Sequence, residues 1–260
     1  MPRASPSRPL PSLQVGRAAL QWWHGTLRIV HLGAVLGVLA LSPSSYERPR
    51  RPRLASHLVA GVMPVLPWFA VVSALLSLVI ARIVIVTAAS YGLDQYALGM
   101  VVRVLVLELI PLTAALFVAV RIAVPASAEL ARLRRSAGVG PVLLRDEVAP
   151  RAAAALFAVL LLAALASVIT LLLAYLLVHG FTPWGFERFT RQVGQVFTPA
   201  VSLIFVLKTL ALGVAVAVIP AGSALHDRSP SPLSLELQGL VRLLLAVLGV
   251  EVASLVGNYA

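Results

Sequence analysis

Five long apolar runs separated by short polar stretches set the plan of this chain. From Leu54 to Ala81 there are 28 residues without Asp, Glu, Lys or Arg, and the run continues past Arg82 to about Ala89. Further runs cover about 96–124, 152–179, 196–220 and 235–257. About 20 apolar residues cross a bilayer as a helix, and each run is long enough. In hydrocarbon a lone segment must satisfy its own backbone, so each is predicted to be helical. The expected fold class is therefore an all-α integral membrane protein with five transmembrane helices.

Residues 18–41, AALQWWHGTLRIVHLGAVLGVLAL, have a different pattern. Gln21, His24, Arg28 and His31 interrupt the apolar face, and Trp22 and Trp23 stand near its start. Indole rings favour the headgroup layer, so this stretch predicts an N-terminal interfacial helix ahead of the five spans. By length alone it could also span. The chain then divides into a disordered basic N-terminus (1–17), an interfacial helix with a Pro-rich basic linker (18–53) and a five-span domain (54–260). The first 17 residues lack the ordered charged and apolar regions of a cleavable signal, so they are expected to remain on the chain.

Composition sharpens the class. The 260 residues are 60% hydrophobic and 12% charged, about half the charge of a soluble domain. Lys and Arg number 21 against 10 acidic residues. A basic balance can mark nucleic-acid binding, but that needs a basic face on a soluble fold. Here the arginines cluster between apolar runs, as topology signals and contacts to anionic lipid do, so no nucleic acid is expected. The absence of cysteine excludes disulfides, cysteine zinc sites and thiol catalysis. His24 and His31 could share a helix face, but no third ligand accompanies them and no metal is expected.

Charge also predicts orientation. The first 56 residues carry eight Lys or Arg, 125–151 carry five and 221–234 carry one, whereas 88–95 and 180–192 carry none and two. The positive-inside rule then puts the N-terminus in the cytoplasm and, with five spans, the C-terminus outside. Counting 18–41 as a sixth span would separate residues 1–17 from the other arginine-rich segments.

The segment Leu98 to Leu130 resembles the core of the MlaE/YrbE permease family, which reads L-R-E-L-G-P and then A-L-L-x-A-G-R-x-G-S-A-x-x-A-E-L. Glu108, Leu109 and Pro111 match the first motif; Ala119, Arg121, Ala128 and Glu129 match the second at the same spacing. Leu207-Lys208-Thr209 is similar to the family's (L/I)-K-S, and Leu244 to Glu251 to its closing L-x-V-L-x-(L/V)-D. The interfacial helix and linker resemble the family's elbow helix. The resemblance implies a homodimeric permease of an ABC-type lipid transporter in the bacterial inner membrane. It also implies a cytoplasmic ABC ATPase, a periplasmic MCE-domain protein and membrane lipids as partners. No cofactor is expected on this chain, with ATP bound by the partner ATPase. In agreement, the chain has no G-x-x-x-x-G-K-[ST] phosphate loop; Gly138-Val139-Gly140-Pro141 has no following Lys.

The chain departs from the family at several places. Ile110, Val120 and Ala123 replace glycines that would let helices approach closely. The run after Glu129, ARLRRSAGVGPVLLRDEVAPR, is about six residues shorter than in the family and lacks its T-E-Q and M-G-x-D-P signatures. The loop AGSALHDRSPSPLS lacks G-Y-D and R-A-T-T. These departures motivate an alternative: a membrane scaffold or regulator uncoupled from ATP.

Charges inside spans are the candidate site, because an ionised group in hydrocarbon costs at least ~2.5 kcal/mol. Glu108 could line a lipid path at the dimer cavity, or serve as a structural carboxylate paired with Lys208 or Arg103. Arg103 is five residues away, ~140° around an α-helix, so an interhelical partner fits better. Pro111 is expected to kink the helix. Arg121 can snorkel to phosphates or pair with Glu129 or a neighbouring acid. Lys208, near the middle of its span, needs an internal ion pair or a place on the substrate path. Glu251 is expected to be solvated at the outer end of its span, or else to join the substrate path or a structural ion pair as Pro111 and Arg121 could, and Arg82 is expected to be interior. Glu129, Arg132, Arg134 and Arg135 are the expected contacts with a cytoplasmic partner; the arginines also suit anionic lipid. No Ser/His/Asp order or carboxylate pair points to an enzyme.

Overall fold

The structure, a computed structural model, describes residues 25, 27–37, 56, 59–138, 140–226 and 232–259. The N-terminal lead, Trp22–Trp23, His24 and the basic linker 42–53 lie outside the described residues. Those described are helical apart from short turns, and five helices are long and apolar enough to cross a membrane. We label the helices α1 (Leu27–Gly37), α2 (Leu66–Ser90), α3 (Asp94–Ser136), α4 (Leu144–His179), α5 (Phe186–Val196), α6 (Pro199–His226) and α7 (Pro232–Tyr259).

Over its described residues helix α1 is amphipathic. Ile29, Leu32 and Leu36 are buried at helical spacing, while Leu27 and Val30 face outward. It packs on the arginine-rich end of α6, where Gly222 leaves room for Ile29 and Gly33 lies against Val218. This arrangement is consistent with an elbow helix.

The first span begins later than the apolar run. Met63 to Val65 form a turn around Pro64, and the helix starts afresh at Leu66 with Pro67 in its first turn, where a missing N–H costs nothing. The second and third spans depart further from expectation. The expected loop between them is largely helical: α3 runs 43 residues to Ser136, and α4 already begins at Leu144. The connection turns at Gly138, whose φ of 72° suits glycine. The arginine-rich segment is thus a helical hairpin packed against α6, because Ala, Leu and Arg favour helix.

Prolines shape α3 and α4 in an unexpected way. Within these helices three stretches widen to π-helix: Val102–Leu109, Ala119–Ala123 and Leu144–Val148. Each ends two residues before a proline, namely Pro111, Pro125 and Pro150. Proline has no N–H to donate and its ring crowds the carbonyl four residues back. Shifting the preceding hydrogen bonds to the i→i+5 register moves that carbonyl out of the way. The kink expected at Pro111 is therefore taken up by a wide turn inside a continuous helix.

Helix α4 is the centre of the bundle, packed against α2, α3 and α6. Its buried residues are mostly small: Ala155, Ala158, Ala163, Ala166 and Ala174. Facing it, α2 buries Ser73, Ser77, Ala81 and Ala88, again small. Lipid tails are as apolar as leucine, so spans associate through close packing and hydrogen bonds, both of which small residues allow. One such bond joins Ser77 Oγ to Thr170 Oγ1 at 2.7 Å. A double-mutant cycle with Ser77→Ala and Thr170→Val is expected to return a coupling of about 0.6 kcal/mol, the average for interhelical bonds in membranes. Denaturation in detergent micelles measures it, and additive effects would mean the bond contributes nothing.

At the opposite end from the arginines, α5 is tied to α4 by aromatic contacts. Phe189 is buried, 5.2 Å edge-on from Tyr175, which also stacks on His179 and donates its hydroxyl to the Thr182 carbonyl. Phe181 and Trp184 point outward, 92% and 91% exposed. Phe189 thus serves the core, whereas Phe181, Trp184 and Phe186 form the surface.

Candidate functional site

Charged residues from three spans meet inside the bundle. Widened α3 presents Glu108, α6 presents Lys208 and α7 presents Glu251 and Asn258. The Lys208 side chain is only 1% exposed, and its ammonium donates to Glu108 Oε2 and to Glu251 Oε2, the latter at 2.6 Å. Asn258 Nδ2 donates to the other Glu108 oxygen at 3.1 Å. Lys208 is about 14 Å along α6 from Pro199, and Glu251 about 12 Å along α7 from Tyr259. The cluster therefore lies towards the end opposite the arginines, inside the apolar stretch.

The cluster selects among the readings of the sequence. Glu108 pairs with Lys208 across helices and not with Arg103, which is exposed. For Glu251 the ion-pair reading holds and the solvated one does not: its side chain is 14% exposed and meets Lys208, because α7 packs this face against α6. Asn258 was not among the expected residues. It stands seven positions after Glu251, about 20° away around an α-helix, and that spacing is the signal that could have found it.

The other candidates are placed apart. Pro111 lies buried just beyond the wide turn that carries Glu108. Arg121 is exposed, and among the described residues it makes no ion pair. Glu129 does not meet it; its carboxylate lies 3.2 Å from Arg151 Nη2, which also contacts Glu147 at 3.0 Å. Arg82 is exposed, correcting the expectation of an interior residue, because α2 turns its small-residue face to α4 and this side outward.

The hairpin arginines divide. Arg132 and Arg135 are exposed, whereas Arg134 turns inward and donates to the Ala224 carbonyl at 3.2 Å. Arg134 thereby ties the hairpin to α6. Nearby, α3, α4 and α6 leave a cavity of about 20 Å³ beside Arg151, lined by Ala126, Ser127, Ala155 and Ala217. One water fits such a space, and Arg151 Nη1 is buried there without a hydrogen-bond partner in the bundle.

Together the spans and buried charges define a multi-pass helical membrane protein with an internal ion-pair cluster. A family described as Permease MlaE matches residues 54–253, and the chain belongs to that family. No curated protein matches the chain. Membership makes it a permease subunit of ABC type, a transport component.

Proposed function

We propose that this chain is the lipid-handling permease of an ABC-type transporter in a bacterial inner membrane, working as a homodimer. The observation that carries the reading is the family match across all five spans, residues 54–253. The substrate is a phospholipid or a related hydrophobic molecule, taken into a cavity between the two copies and passed to a periplasmic MCE-domain protein. ATP is hydrolysed on a separate cytoplasmic chain whose movement changes the shape of the cavity.

The arginine-rich end is the cytoplasmic one in this reading, with the C-terminus outside. The hairpin formed by the ends of α3 and α4 is then the contact for the ATPase, through Arg132, Arg135 and Glu129, which are exposed. Arg134 holds the hairpin to α6, and so transmits movement of the hairpin to the span that carries Lys208. Glu108, Lys208 and Glu251 hold three spans together, and Pro111 fixes the wide turn beneath Glu108.

Affinity purification of the tagged chain in mild detergent, with mass spectrometry of protein and lipid, tests this. The expected result is co-purification of an ATPase, an MCE-domain subunit and bound phospholipid. Recovery of a bare homodimer, with no ATPase even after crosslinking, would favour the uncoupled scaffold that the shortened hairpin suggests.

A further inference from the structure

The ion-pair cluster does not balance. Glu108 and Glu251 bring two negative charges to one ammonium, and no other ionic partner meets them among the described residues. With both carboxylates ionised the cluster carries a net charge of −1 where hydrocarbon surrounds the bundle, a costly arrangement unless something compensates it.

The same place holds three polar atoms without hydrogen-bond partners. Glu251 Oε1, Ser254 Oγ and Asn258 Oδ1 are all buried and unsatisfied. Their residues fall within about 60° of one another around α7, on the face that carries the contacts to Lys208 and Glu108. Ser254 is 7% exposed, and its behaviour is unusual for this chain. Ser127, Ser167 and Thr209 each return their hydroxyl to a carbonyl of the preceding turn, at 2.7, 2.8 and 2.8 Å. Such back-bonding is the ordinary resort of a hydroxyl inside a helix. Ser254 does not use it.

We propose that this junction of α3, α6 and α7 binds one alkali cation, sodium or potassium, through Glu251 Oε1, Ser254 Oγ and Asn258 Oδ1. The three atoms are hard oxygens, the ligands such cations take. One positive charge brings the cluster to neutrality, whereas a divalent ion would leave an excess beside Lys208. A proton would balance the charge too, since a protonated Glu251 can donate to Ser254 Oγ and the Ser254 hydroxyl to Asn258 Oδ1, so the two are separated by the test below.

Thermal unfolding of the purified full chain, in detergent with choline chloride exchanged for sodium or potassium chloride at constant ionic strength, tests the proposal. The melting temperature should rise and saturate with one alkali cation, as binding to the folded state alone requires. Ser254→Ala leaves both ion pairs in place and should raise the half-saturating concentration roughly tenfold. Glu251→Gln should abolish the response. Identical melting in all three chlorides, or a response unchanged in Ser254→Ala, overturns the proposal. So does stability that follows pH while ignoring alkali cations, which would assign the charge to a proton. The readout needs neither ATPase nor lipid transport, so its failure leaves the proposed function standing.

Discussion

Lys208→Met is expected to destabilise the bundle by about 3–5 kcal/mol, the usual cost of removing one partner from a buried charge cluster. The methionine fills nearly the same space, so the loss is electrostatic: Glu108 and Glu251 remain, facing each other without the ammonium that both contact. Denaturation of the purified protein in detergent measures the loss. The decisive comparison is the triple variant Glu108→Gln, Lys208→Met, Glu251→Gln, which removes every charge and should recover most of the stability. If Lys208→Met alone melts like the parent chain, the cluster does not join the three spans. If the triple variant is as poor as the single one, packing rather than charge explains the loss.

Gly213→Val should cost about 1–3 kcal/mol by overpacking the α4–α6 contact. A Cβ at Gly213 already meets Leu156 Cδ1 at 2.6 Å, with Val159 Cβ and the Leu156 carbonyl at 3.7 Å. The leucine methyl can swing away from a single carbon. The two branches of valine must also clear the backbone of α4, which cannot move without disturbing its packing on α2. Combining Gly213→Val with Leu156→Ala should return part of the lost stability. A larger loss in the double variant would show that the leucine is not the obstacle.

Much of this architecture can be read in the sequence. Apolar length gives the five spans, and the cost of burying Glu108 and Lys208 points each towards an interhelical partner. Residues at the ends of runs are less legible. The apolar run from Leu54 is cut by Pro64, and hydropathy has no knowledge of a proline turn. The arginine-rich segment reads as a loop because it leaves the hydrocarbon, although leaving hydrocarbon does not end a helix; Gly138 does. Glu251 reads as solvated from its depth alone, since depth says nothing about which neighbour it faces. Arg82 fails for the same reason. Asn258 and Ser254 are individually unremarkable, and only their angular agreement with Glu251 distinguishes them.

The three wide turns ahead of Pro111, Pro125 and Pro150 have a consequence for the phase of the helices. A π turn is an α turn with one residue added, so it acts as a local insertion that the fold has absorbed. Each residue of an α-helix advances the side chains by about 100°. Deleting one residue between Val102 and Glu108 would let that stretch relax to an ordinary helix. Either the Asp94 end or the Arg121 end of α3 would then have to turn through about that angle to keep Glu108 opposite Lys208. Length variation at these turns is thus a rotation of one half of the span against the other, and it changes which residues face the bundle without altering a single side chain.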